Sequence, residues 1–219
     1  MKSVYGIITL SILTFLLSWT PQQNHWKVKK YNNFQLYYCI EDHELTSEVL
    51  VFIDEGISHT RNFFGEPFRN EFSVYIHPDR HSLDITWQAD WNMPGFESQC
   101  WMVASGVYNK MDLLSPNVWS EQACEHDFED KQKIQNLITH ELIHVYHGQN
   151  NLSPDFSNTE GIDWFVEGLA NYASGQLDGI KIDEVQKAVI EGNIPKSLDQ
   201  FWTGKMRYQR SGSVVMFID

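Results

Sequence analysis

Residues 131–150 read KQKIQNLITHELIHVYHGQN, and residues 164–172 read WFVEGLANY. In the first stretch Ile134, Leu137, Ile138, Leu142 and Val145 recur at spacings of three and four. That period predicts a helix with one apolar stripe. It starts near Asp127 and ends around Gly148-Gln149-Asn150. On this helix His140 and His144 stand four residues apart, so both imidazoles project from one face, off the apolar stripe. The segment is an H-E-x-x-H arrangement, in which two neutral imidazoles can bind one metal ion. Glu141 sits between them in sequence. It can reach a metal-held water without being a ligand, and a carboxylate placed there is a general base.

The second stretch predicts another helix, from about Gly161 to Ser174, stopped by Gly175. It carries Glu167, with residues 145–166 between it and His144. That is room for the end of the first helix, a loop and one turn of the second. A carboxylate there closes a site of two His and one Glu, leaving a fourth position for water, which suits one Zn2+ per chain. Gly168, Ala170 and Ala173 are small enough to let two helices come close. A mid-helix glycine costs roughly 1 kcal/mol against alanine, so Gly168 points to tight packing.

HELIHVYH followed by WFVEGLANY resembles the gluzincin zinc metallopeptidases, and within them the peptidase MA-like group with its W-x-x-E-G-x-A-x-Y pattern. The resemblance is specific over residues 139–172 and looser outside them. It implies a thermolysin-like zincin catalytic domain, one zinc and peptide-bond hydrolysis. His140, His144 and Glu167 match the metal ligands, and Glu141 matches the base. Many members carry an acid four positions after the third ligand to orient a ligand His; here that position is Asn171. An amide can accept the same bond with weaker charge support. The resemblance also implies a sheet-edge strand that pairs with substrate, matched by residues 103–107, VASGV. It implies an oxyanion donor from the later helices, for which Tyr208 is the first choice and Tyr146 and Tyr172 are alternatives.

Working outward, Phe34–Ile40 and Phe72–Ile76 read as strands, with further short strands at 99–108 and 111–114. Residues 44–64 read as a helix, with Leu45, Val49, Phe52, Ile53 and Ile57 at helical spacing and Gly65 and Pro67 as stops. After His77-Pro78 comes a short irregular or helical stretch. His77 and His81 have metal-like spacing, but Pro78 argues against one helix through both, and they read as surface residues. His147 is a partly exposed helix residue that can touch substrate. Residues 181–192 and Tyr208–Asp219 predict further helices, Ser197–Trp202 a turn of one. The expected fold class is α+β: a small mixed sheet with an edge strand, in a lobe of about residues 26–126, then a helical lobe of about 127–219. The last helix has no stop signal, so the chain reads as cut short at its C-terminus.

Composition bounds the function. Of 219 residues, 42% are hydrophobic and the net charge is −13, which supports a packed core and argues against a nucleic-acid partner. Lys2 followed by the apolar run Val4–Trp19 reads as a signal peptide of about residues 1–20, giving a secreted or periplasmic protein. Membrane contact is then expected only through that segment, were it to stay as an uncleaved anchor. An exported chain with Cys39, Cys100 and Cys124 can pair two of them and leave one over. Cys100 and Cys124 flank one segment and can bridge it, though spacing leaves the connectivity open. The expected substrate is a peptide or protein, cut internally. Residues 104–109 lack the acid that an aminopeptidase uses to hold a free amine, with Asp112 and Glu97 the nearest substitutes. The alternatives are an aminopeptidase, and a zinc- and peptide-binding scaffold with little turnover.

Overall fold

The computed structural model describes residues 26–219. The segment read as a signal peptide, residues 1–20, lies outside them. Among the described residues no helix is long and apolar enough to cross a membrane.

Among the described residues five strands build one mixed sheet: β1 (Lys27–Lys30), β2 (Phe34–Tyr38), β3 (Phe72–His77), β4 (Ala104–Val107) and β5 (Lys110–Leu114). Their order is β1-β2-β3-β5-β4. The hairpin neighbours β1–β2 and β4–β5 are antiparallel, whereas β2–β3 and β3–β5 are parallel. Parallel neighbours need a crossover. The first is α1 (Thr46–Phe64), and α2 (Arg80–Asp90) lies in the second. Five helices follow: α3 (Trp119–Gln122), α4 (Lys131–Asn150), α5 (Asp163–Ala173), α6 (Gly179–Ile190) and α7 (Arg207–Ile218). The described chain is thus α+β, with the sheet first and the helical part second.

The main core joins the inward side chains of the sheet, among them Leu36, Val74, Ile76 and Met111, to α1 and α4. Helix α4 meets it through Ile134, Ile138, Leu142 and Val145. Its start is set by Asp130, whose Oδ1 accepts the Lys133 N–H at 3.2 Å, so the helix begins later than the periodicity suggested. Helices α1 and α4 touch closely at Gly56, where an added Cβ would stand 2.6 Å from Leu142 Cδ1. A smaller cluster of Ile143 with Ala170 and Ala173 joins α4 to α5.

Two details differ from the sequence expectations, and one that they left open is decided. Strand β1, with the sequence KVKK, was not anticipated, because a short lysine-rich stretch carries little apolar signal. Its lysines blunt that edge of the sheet against further pairing. The stretch after Pro78 is a full helix, capped by Asp79, whose Oδ1 accepts the Ser82 N–H at 2.7 Å. His77 is not a surface residue. It ends β3 fully buried, with Nε2 3.0 Å from Asp112 Oδ1 and Nδ1 3.1 Å from Ser82 Oγ. Burial is possible because both ring nitrogens are satisfied there. His81, on α2, is exposed.

Candidate metal centre

Helix α4 divides its surface among three neighbours. The aliphatic stripe faces the sheet and α1, Ile143 faces α5, and His140, Glu141 and His144 face a cleft of about 730 Å3. All three polar residues are buried. Helix α5 brings Glu167 to them. His140 Nε2 and His144 Nε2 are 3.1 Å apart, and Glu167 Oε2 lies 3.5 Å from the first and 3.6 Å from the second. Three donor atoms thus make a nearly equilateral triangle. Tetrahedral ligands about 2.0–2.1 Å from one centre stand roughly 3.3–3.4 Å from each other, so the triangle fits such an ion with its fourth position open. These are the residues among those described whose ligand atoms converge as a candidate metal group. Two imidazoles with one carboxylate suit a borderline transition metal better than magnesium or calcium, which take oxygen ligands.

The electrostatics match that arrangement. Burial works against a charge on Glu167, yet His144 and then His140 hold its carboxyl well below the usual carboxylate range. Glu141 goes the other way. Burial, reinforced by the charge of Glu167, pushes its carboxyl up to about 7, against the opposing pull of His140 and the Gly106 amide. Two neighbouring carboxylates are therefore separated in basicity: one stays ionised, the other exchanges its proton near neutrality.

The supporting shell is thinner than the resemblance implied. Asn171 does not reach an imidazole. Its Nδ2 donates to Gln176 Oε1 at 3.2 Å, while its Oδ1 is buried without a partner, as are His140 Nδ1 and His144 Nδ1. The cause lies in the packing of α5 on α7. An added Cβ at Gly168 would come within 2.6 Å of Ser211 O, and one at Gly212 within 2.8 Å of Asn171 Oδ1. Gly168 thus serves the α5–α7 contact, while Ala170 and Ala173 serve α4–α5. Asn171 is held in that seam, turned to Gln176 and Gly212.

The cleft floor is β4. Ala104, Ser105, Gly106 and Val107 all line it, and β4 pairs within the sheet only with β5. Unlike β1, this edge carries no charge. Gly106 is more than a small residue beside a groove, because an added Cβ would stand 2.1 Å from Glu141 O. The loop entering β4 is pinned twice. Cys100 and Cys124 form the disulfide, leaving Cys39 free and buried. The Arg80 guanidinium donates to Ser98 Oγ and to the carbonyls of Gln99, Cys100, Met102 and Gln122.

Tyr208 lines the same cleft from the first turn of α7, and burial, with Glu167 as second cause, pushes its hydroxyl up to about 12. It therefore stays a protonated donor. Tyr146 instead stacks on Phe64, and the Tyr172 hydroxyl donates to Asp219 Oδ2 at 3.1 Å. His147 is packed between Phe156 and Phe165 and does not join the ligand triangle. Asp112 is buried with both oxygens engaged, by His77, Trp87 and Lys110, and Glu97 does not line the cleft. Sequence reasoning missed Phe156, which sits against His144 with φ 58°, and the trio of Trp101, Trp202 and Arg207. None of these carries a local pattern; only folding brings them to the cleft. No protein-family model matches the chain, and no curated protein matches it.

Proposed function

We propose that this protein is a zinc-dependent peptide hydrolase of the gluzincin kind with a thermolysin-like catalytic domain, exported, and acting on internal peptide bonds. The observation that carries the proposal is the triangle of His140 Nε2, His144 Nε2 and Glu167 Oε2, with Glu141 beside it and an uncharged sheet edge in the same cleft. His140, His144 and Glu167 would hold the zinc. When bound, zinc supplies a nucleophilic water at neutral pH and polarises a carbonyl. Glu141 takes the proton of the attacking water and returns it to the leaving amine. Strand β4 offers backbone groups to an extended peptide laid along it, the usual mode of strand addition. Tyr208 remains protonated at working pH and donates a hydrogen bond to the oxygen on which charge develops.

An aminopeptidase needs a carboxylate beside the substrate amine. Asp112 is fully occupied in the core and Glu97 stands outside the cleft, so neither acid that the sequence offered serves as that carboxylate; of the acids that line the cleft besides Glu141 and Glu167, namely Glu125, Asp155 and Asp163, none lies on the edge strand β4. One observation favours a second reading, a slow or inactive zinc- and peptide-binding scaffold: neither imidazole Nδ1 has a partner to orient it. The test is elemental analysis of purified protein together with cleavage of a broad peptide library, N-acetylated and free, by wild type and Glu141→Gln. One zinc per chain with cleavage of blocked peptides, reduced by roughly 10²–10⁴ in Glu141→Gln, is expected. Zinc without cleavage selects the scaffold. A folded, metal-replete protein without zinc ends both readings.

A further inference from the structure

Among the described residues three cations line the cleft: Lys181, Lys205 and Arg207. The Lys181 ammonium is taken up by the Gln176 carbonyl and by Asp178. Arg207 is different. Among the described residues no carboxylate lies within ion-pair distance of it. Its guanidinium carbon lies instead 5.0 Å from the Trp202 ring centre, 5.2 Å from Tyr208 and 5.6 Å from Trp101. One donor of the fork is turned to the Tyr208 hydroxyl, and since aromatic faces hold a guanidinium in place without taking its N–H groups, the rest of the fork stays open to an anion.

Its position on the helix adds a second observation. Arg207 is the first residue of α7; Met206, at the N-cap, supplies no side-chain hydrogen bond, and the first turn contains no acid. A helix N-terminus carries partial positive charge and unmet N–H groups, so a cation there is unfavourable until an anion arrives. Lys205, exposed, adds another cation to the same wall of the cleft. In a chain of net charge −13, an unpaired guanidinium seated on three rings beside the reacting centre is built to receive something negative.

We propose that Arg207, with Lys205 and the uncapped start of α7, binds a carboxylate of the substrate, so that the protein selects peptides with an acidic side chain or a free C-terminal carboxylate close to the cleaved bond. This rests on the peptide-hydrolase reading. A planar guanidinium takes a carboxylate through two parallel N–H bonds, and that fixes the register of a peptide lying on β4. Tyr208 follows Arg207 directly, so binding of the carboxylate and donation to the developing oxyanion come from adjacent residues of one helical turn.

The experiment uses the zinc-loaded protein and three matched peptides. One is neutral, with Gln and an amidated C-terminus; one has Glu in its place; one keeps Gln and has a free C-terminus. The substituted position is scanned on both sides of the cleaved bond. At least one acidic peptide should exceed the neutral one about tenfold or more in kcat/KM, the effect of one charge-assisted hydrogen-bonded pair. Which of the two gains tells the side chain from the terminus. The advantage should shrink with added salt, collapse towards unity in Arg207→Gln and survive in part in Arg207→Lys; being a ratio within each variant, it is not obscured by a general loss of activity. Equal kcat/KM for all three peptides in wild type, or an unchanged ratio in Arg207→Gln, overturns the inference while leaving hydrolysis standing. Glu141→Gln gives an independent arm through peptide binding, read by Trp101 and Trp202 fluorescence. Tenfold tighter binding of acidic peptides there, with no cleavage of any peptide by wild type, would remove the hydrolase reading and keep the carboxylate site.

Discussion

Gly106→Ala tests how the sheet edge is joined to helix α4. An added Cβ would stand 2.1 Å from Glu141 O, 2.9 Å from its carbonyl carbon and 3.1 Å from its Cα. A carbon–oxygen contact needs roughly 3.3 Å, so the two segments must separate by about 1.2 Å. Every offending atom is backbone, so no rotamer change relieves the clash. Helix α4 is held from its other side, where Leu142 packs on Gly56, so the displacement falls on β4. Two effects compete. Alanine restricts the unfolded chain and favours folding by about 0.5–1 kcal/mol. Overpacking costs about 1–3 kcal/mol. Sterics should win, giving a net loss of about 1–2 kcal/mol, or about 2–8 °C in Tm at this chain size. The proposed metal ligands sit on α4 and α5, so zinc affinity should barely change. Substrate held on β4 would be misplaced by about 1 Å relative to Glu141, which costs about 10²-fold in turnover. Thermal unfolding, a competitive zinc titration and peptide hydrolysis read the three quantities separately. An alanine variant that melts at or above the wild-type temperature would refute the close approach of β4 to α4.

Further outcomes follow from the same geometry. His140→Ala or His144→Ala should abolish stoichiometric zinc by elemental analysis, and Glu167→Ala should weaken zinc by 10–100-fold or more in a chelator competition. Burial, and secondarily His144, push His147 down from 6.5 to about 4. Between those pH values the unfolded state binds more protons than the folded one, so stability falls on acidification through that window. Glu141, pushed up to about 7, acts in the opposite sense in the zinc-free protein, so the His147 loss is read as the difference in Tm between wild type and His147→Gln against pH; a difference that stays constant would place His147 in water. Replacing both Cys100 and Cys124 by Ser should lower stability by about 3–4 kcal/mol, from the loop entropy that a bridge 24 residues long removes. Denaturant unfolding measures it, and an unchanged midpoint would mean that Arg80 alone holds the loop.

Much of this site was legible in the chain. The 3.6-residue period placed His140 and His144 on one face of one helix with Glu141 beside them, because that relation is local and survives any tertiary arrangement. Glu167 needed only the inference of a second helix at suitable distance, and small residues around it signalled close packing. The strands β2, β3 and β5 and the helix α1 announced themselves through apolar spacing. Other features had no local signature. Asn171 was expected to turn towards an imidazole; the α5–α7 seam, set by Gly168 and Gly212, turns it elsewhere. His77 read as a surface residue, since only the parallel pairing of β3 with β5 brings Asp112 to its ring. Gly106 read as one residue of an edge strand, whereas it makes room for the backbone of Glu141. Arg207 drew no notice, because a cation means little until three rings, one of them distant in sequence, are folded around it. The sequence by itself determined which side chains share a helical face, and with that the metal-binding pattern. The tertiary structure decided which partners meet across elements, because those contacts depend on sub-ångström differences in how helices and strands approach, and no spacing along the chain encodes them.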